Sequence, residues 1–566
     1  YGNDLDGVDL NRNYDFNWIF GDGLHALDGG CSGNPSYISH YDYYRGSYPF
    51  SEKEIQAIRD FTMEKNFLLS IAYHSSRSGC VAERVIYPWL WSGGKASPDY
   101  SVISILGQEI AELIPVEVGD GNYHHAASGS RRGNAHDWIY AKTGCIQYLV
   151  EVGTENMQPH DINLIDNTIE RNIQGAYHLF RRAAGINLGD GPEKFQVTGI
   201  VTDSNTGQPI IAEVEIVEMS SPILSPRLTN EFGRYRRLLY ADTFTLKFSA
   251  FGYETQIIEN IVPSSSSITE IDISLNPLTY YNLDLNINLP EYSEQNVKML
   301  RYHGSIVDTI DLDLNNNFYW PESEYNLVFI SNDIYPKKEN INLISDQLIE
   351  INLNWYDIIF SDSFENLDNW NVIWGDWNVD EGILKSQTDL TYDNYHPLGP
   401  ARINLANPIY IDEESSSEIA IEMFMRNELE WGADTLFLNM FNESNDLNIY
   451  HNTNQNWEFH NEYAHTTITN QDTYLALGIN SDITLSYRGV EIDHLNILYE
   501  FVDDCPKGDF NHDGISDVLD IVGVTNYIIG SMSLTDFQRC TSDINNDSYI
   551  DILDIIMFLN IILEDE

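Results

Sequence analysis

Two stretches near the end of the chain carry oxygen donors at a spacing that suits a hard cation. Asp509, Asn511, Asp513, Gly514, Asp517 and Asp520 fall at positions 1, 3, 5, 6, 9 and 12 of a twelve-residue loop. Asp543, Asn545, Asp547, Asp551 and Asp554 repeat positions 1, 3, 5, 9 and 12, 34 residues later. Carboxylate and amide oxygens at alternating positions, joined by the backbone carbonyl of position 7 (Ile515 and Tyr549), make up the donor set of a calcium loop. Gly514 suits the sharp turn at position 6, where the second loop has Ser548. Each loop leads into an apolar helix, expected from Val518 to Ile529 and from Ile552 to Leu563. Cys505 and Cys540 precede the loops by four and three residues and are placed to staple them. That pair favours an oxidising setting. Cys31, Cys80 and Cys145 form an odd set.

A second group of reactive side chains lies in the first third. The stretch GVDLNRNY (7–14) sets Asn11 beside Arg12. An arginine offers a planar pair of donors that matches a carboxylate, which a lysine cannot. The apolar run NFLLSIAYH (66–74) has strand length and ends in His74, and CIQYLVEVG (145–153) is another that carries Glu151. His136 stands directly before Asp137-Trp138, with Arg131 and Arg132 nearby.

The elements that position these groups follow from spacing. Residues 1–188 read as mixed α/β. Ser51-Glu52-Lys53-Glu54 fits a capping box ahead of Ile55, Ile58 and Phe61. Ile165, Ile169, Ile173, Tyr177 and Phe180 repeat at helical spacing across 162–184, with Gly185 as the C-cap. A linker, NLGDGPEK, covers 187–194. The period then becomes two, as in TEIDISL (269–275) and NLDLNINL (282–289), the mark of half-buried strands. The segments expected are 194–276 and 277–356 as small β-sandwiches and 357–503 as a longer β region. In the last of these, Trp370, Trp374 and Trp377 suit a core, with a sugar-stacking surface as the alternative. Residues 504–566 form the twin-loop helical end.

Seven motifs occur in order: GVDLNRNY (7–14), YRGSYPFSEKE (44–54), YHS (73–75), YPW (87–89), ASG (127–129), DW (137–138) and VEVGTE (150–155). Together they resemble the M14 family of zinc carboxypeptidases, over the last two-thirds of that domain. The resemblance implies a mixed sheet with flanking helices. It gives His74 as a zinc ligand and Glu151 as the general base that takes a proton from zinc-bound water. Asn11 and Arg12 match the pair that grips the substrate's terminal carboxylate, and His136 the residue that lines the specificity pocket. The family has a Tyr two residues before Ala-Ser-Gly; here that position is His125, and Tyr123 is taken for the role of covering the substrate. A preference for acidic or polar C-terminal side chains follows as an expectation from His136, Arg131 and Arg132. The family's His-x-x-Glu ligand pair, which precedes Asn-Arg, is not in the sequence: none of the 15 histidines has Glu three residues on. Since the chain starts without Met and in mid-motif, a missing N-terminal part is expected rather than a lost site.

FQVTGIVTDSNTGQPIIAEVEI (195–216), NEFGRY (230–235) and FSAFGYE (248–254) resemble the transthyretin-like domain that follows M14 domains. Residues 357–503 look like a jelly-roll or lectin-like sandwich. The twin loops resemble dockerin domains, in which Asp rather than Glu holds position 12, and imply a cohesin-like or cell-surface partner.

Composition bounds the rest. The 87 acidic and 30 basic residues give a formal charge of −57, which argues against nucleic acid and anionic membrane as partners. No run of 18 apolar residues offers a membrane span. The reading that results is a secreted, multidomain zinc metallocarboxypeptidase that takes peptides or proteins with a free C-terminus. Two rivals remain: an inactive scaffold for calcium-dependent attachment, and a zinc peptidase acting on cell-wall peptides.

Overall fold

The computed structural model describes residues 7–21, 44–65, 67–75, 83–91, 94–129, 132–153, 161–184, 195–290, 293, 296–303, 306–332, 334–386, 400–409, 417–430, 433–442, 445–453, 455–468, 472–481, 487–501, 507–511, 516–545, 547 and 549–564. The chain divides into two compact units, Tyr1–Leu278 and Thr279–Glu566.

In the first unit, α1 (Lys53–Lys65) leads into β1 (Leu69–Ser75). The capping box expected at Ser51 does not form. Asn13, from the 7–14 motif, takes over: its Oδ1 accepts the Glu52 N–H at 3.1 Å and its Nδ2 donates to Ser51 Oγ at 2.9 Å. Strand β2 (Arg84–Tyr87) follows, then the short pair β3 (Leu90–Trp91) and β4 (Lys95–Ala96). Next come α2 (Tyr100–Glu112), β5 (His124–Ala127), α3 (Ala135–Thr143), β6 (Ile146–Val152) and α4 (Ile162–Ala184). The sheet order is β1-β6-β2-β5. β1 runs parallel to β6 and β2 parallel to β5, while β2 and β6 are antiparallel. This is a mixed sheet, and α2 buries Val102, Ile103, Leu106 and Ile110.

Helix α4 has the expected span but the opposite face is buried. Ile165, Ile169, Ile173, Tyr177 and Phe180 are exposed, whereas Asn172, Gly175, Leu179 and Arg182 are buried. Gly175 allows the close approach to α2: a Cβ there would lie 2.9 Å from Ile114 Cδ1 and 3.1 Å from Ile110 Cγ2. Cys145 is a buried free thiol whose pKa burial pushes up to about 11. Seven strands between Gln196 and Leu275 complete the unit in two sheets.

In the second unit, the described residues between Tyr280 and Asn352 form seven strands in sheets of three and four. Those between Trp355 and Phe501 form eleven more, in sheets of six and five around an apolar core. Trp370 and Trp377 belong to that core, each 5% exposed, which removes them from any sugar-stacking surface; Trp374 is 47% exposed. Three helices close the chain: α5 (Val518–Ile528), α6 (Asp536–Ser542) and α7 (Ile552–Glu564). Helix α6 has no counterpart in the sequence reading, and its Phe537 meets Trp355 edge-on at 5.7 Å. Cys540 is disulfide-bonded; Cys505, Cys31 and Cys80 lie outside the described residues. No helix among the described residues is long and apolar enough to cross a membrane.

Candidate functional site

Parallel pairing brings two of the expected groups together. His74 on β1 is in register with Glu151 on β6. Registered residues on neighbouring parallel strands project from the same face of the sheet. Burial lowers the His74 pKa; the Asp9 carboxylate opposes the shift and the Arg12 guanidinium adds to it. Burial thus favours the neutral ring, the form that ligates a metal.

The 7–14 motif supplies the cationic wall. Leu10–Arg12 is a single 3-10 turn capped by Asp9, whose carboxylate accepts the Asn11 N–H at 2.9 Å. Arg12 Nη1 donates to the Asn11 carbonyl at 2.8 Å and to Asn134 Oδ1 at 3.1 Å. Asn11 Oδ1 accepts the Ala135 N–H at 2.9 Å, satisfying one of the open donors at the start of α3. Asn134 Nδ2 also reaches Asp137 Oδ2 at 3.0 Å and Ser128 Oγ at 3.3 Å. Trp138 of α3 packs on Tyr14 and Phe50, with ring centroids 5.7 and 5.2 Å apart. The contact is tight at Gly133, where φ is +69° and a Cβ would lie 2.3 Å from the Arg12 carbonyl oxygen.

His136 is 3% exposed. Among the described residues neither ring nitrogen finds a hydrogen-bond partner, and Asp137 Oδ1 is 3.7 Å from Nε2. Its pKa is pushed down to about 3 by burial first, then by Arg12 and His74. The ring is thus a neutral group facing the same field as the arginine and the β1 histidine, not a positive wall.

Tyr123 does not take the role given to it by resemblance. It is 4% exposed, and its hydroxyl donates to Glu83 Oε1 at 2.8 Å. Arg171 Nη1 also binds Glu83 Oε1, at 2.9 Å. Tyr123 closes a buried polar cluster and its pKa rises to about 12, mainly through burial. His125 is exposed on β5, with Nδ1 3.2 Å from the Tyr87 hydroxyl. Arg131 lies outside the described residues. Asp9, Asn134 and Asp137 had no assigned role in the sequence reading; an Asn directly before an apolar helix was the available signal for Asn134.

The donor set bears on which metals fit. His74 gives one nitrogen ligand, and no group of three His, Cys, Asp or Glu side chains able to hold an ion is found among the described residues. The described residues fit part of a zinc site and do not complete one. In the acidic loops, Asp509, Asp520, Asp543 and Asp554 are buried. Asp520 accepts from the N–H groups of Asn511 (2.9 Å) and Asp517 (2.8 Å). Asp554 repeats this with Asn545 (3.4 Å) and Asp551 (2.8 Å). Asp517 caps α5 through the Leu519 N–H at 2.6 Å, and Asp551 binds the Leu553 N–H at 2.7 Å. Asn545 and Asp547 join in the second loop, and the Tyr549 N–H donates to Asp547 at 2.9 Å. Asp513 and Ile515 lie outside the described residues. The absence of such a group of three among the described residues holds for these loops as well.

Residues 2–175 match the zinc carboxypeptidase family model, and residues 196–276 match that of the carboxypeptidase regulatory-like domain. Carboxypeptidase B2 of Rattus norvegicus is 30% identical over 139 residues, 24% of this chain and 29% of that protein. Carboxypeptidase B of Astacus astacus is 26% identical over 171 residues, 29% of this chain and 49% of that protein. The chain thus spans less than half the length of these curated relatives. Among solved structures, thrombin activatable fibrinolysis inhibitor (TAFI) is similar at 22% identity with a TM-score of 0.21, covering 30% of this chain and 40% of that one. The chain thus contains a segment similar to a zinc carboxypeptidase domain, followed by one similar to a carboxypeptidase regulatory-like domain.

Proposed function

We propose that the chain is part of a secreted metallocarboxypeptidase that removes C-terminal residues from peptides, with Arg12 and Asn11 holding the terminal carboxylate. The observation that carries this is the registry of His74 with Glu151 beside the Arg12–Asn134 contact. Arg12 gives the fork that a carboxylate needs. In this reading Glu151 accepts and returns a proton, and His74 presents a ring nitrogen to a metal. Zinc, when bound, would supply the Lewis acidity for attack by water. Its remaining ligands are not among the described residues, so the steps assigned to this chain are binding, orientation and proton transfer. His136, neutral and without a hydrogen-bond partner, supports a preference for polar, uncharged C-terminal side chains over acidic ones.

The test uses the chain itself. A labelled peptide with a free C-terminus should bind, and its amidated form should bind at least about tenfold more weakly, the scale of a charge-assisted contact. Arg12→Ala should abolish the difference, and Arg12→Lys, a point charge without the fork, should reduce it. Equal binding of the two peptides to the parent chain would refute the reading.

Two calcium ions in the acidic loops, with the helical end serving as an attachment module, form a second reading. The recurrence in both loops of a twelfth-position carboxylate that accepts loop N–H groups favours it. Val518 with Ile552, and Leu519 with Leu553, are equivalent and exposed, which supports an apolar contact with a cohesin-like partner.

A further inference from the structure

Arg227 belongs to the regulatory-like domain, yet its guanidinium sits at the end of α3. Nη2 donates to the Tyr140 carbonyl at 2.8 Å and Nη1 to the Ala141 carbonyl at 3.2 Å. The Ser225 N–H donates to the same Ala141 carbonyl at 2.9 Å. The guanidinium carbon lies 5.4 Å from the Tyr140 ring centroid. Gly144, which ends α3 with φ +79°, leaves it room: a Cβ there would lie 2.6 Å from Arg227 Nε.

The last carbonyls of a helix carry the negative end of its dipole and lack the full set of partners that interior carbonyls have. Here the Tyr140 carbonyl accepts the Gly144 N–H at 3.0 Å, and the guanidinium adds a charged donor to it and to the Ala141 carbonyl. α3 has nine residues, too few to hold its shape unaided. Its first turn carries His136 and Asp137 and is held by Asn11 and, through Asn134, by Arg12. The helix is therefore gripped at one end by the 7–14 motif and at the other by the next domain. Two other contacts between these parts, Arg236 with the Ala183 carbonyl and Gln196 with the Arg182 carbonyl, reach the end of α4 instead, which holds no site residue.

We propose that Arg227 is a positioning residue through which the regulatory-like domain fixes α3, and with it the Asn11, Arg12 and His136 wall. This rests on the reading of those three as substrate-binding groups only where affinity is concerned.

Amide hydrogen exchange on the full chain tests it. Arg227→Ala should raise exchange about tenfold across 135–143, the scale of losing a hydrogen bond to a charged group, and also across 9–14 at the far end. Exchange in 100–112 should stay unchanged. Arg227→Lys, with one point donor, should fall between. Arg236→Ala should act only near 181–184. The proposal fails if the Arg227→Ala change stops at 140–145, or if Arg236→Ala moves 9–14 as strongly. Should Arg227→Ala not fold, Arg227→Gln carries the same comparison, since its amide can serve one carbonyl and not both. Free-C-terminus peptide affinity is read alongside: exchange that moves as expected in a chain that binds no peptide refutes the peptidase reading and leaves the coupling intact.

Discussion

At the scale of single residues, His136 is the group whose chemistry the structure changes most. By position it was read as one of several positive charges near a pocket; burial instead makes it neutral. Its pKa in the fold, about 3, lies below the ordinary 6.5. The unfolded chain therefore binds a proton that the folded one refuses between those values, and stability falls as pH drops from about 6.5 towards about 3. Thermal unfolding of the first unit should show this slope, and His136→Leu should flatten it in part, because His74 is shifted in the same direction. A slope unchanged by His136→Leu would mean that other groups control the acid transition. Arg12, His74 and Glu151 were singled out by the motifs they sit in, and the fold brings the last two into register. Tyr123 shows the limit: the sequence holds a tyrosine near the right place, but Glu83 and Arg171, 40 and 48 positions away, decide where its hydroxyl points.

At the scale of elements, strands β1 and β6 were legible as apolar runs of strand length, and so was the span of α4. Which face of α4 is covered was not legible. Periodicity says which residues share a face, and the neighbour that covers one is chosen by the tertiary structure. Gly175 against Ile110 and Ile114 decides it here. Gly133 plays the corresponding part at the site. Gly133→Ala would put a methyl group against the Arg12 carbonyl at a positive φ. It should cost about 1–3 kcal/mol in chemical denaturation and weaken peptide binding in parallel. In the acidic loops, Asp520 ties two backbone N–H groups and Asp554 three. Removing calcium with a chelator should lower the melting temperature of the helical end. Asp520→Ala and Asp554→Ala should each remove about half of that difference; a chelator-insensitive melt would count against calcium.

At the scale of the whole molecule, the order of mixed, strand-rich and helical segments showed in the switch of period from 3.6 to 2 and back, and the small helix α6 escaped because its seven residues carry too little periodicity. What no pattern could convey is the parallel pairing of β1 with β6, which brings His74 and Glu151, 77 positions apart, into register. A charge of −57 drives copies of the chain apart. The reach of that repulsion shrinks from ~30 Å at ~0.01 M salt to ~3 Å at ~1 M. Sedimentation should therefore show strong repulsion between chains in dilute buffer and little in brine; a concentration dependence that salt leaves unchanged would count against it. The colloidal behaviour of this chain should follow the ionic strength around it, because its own charge is what holds its copies apart.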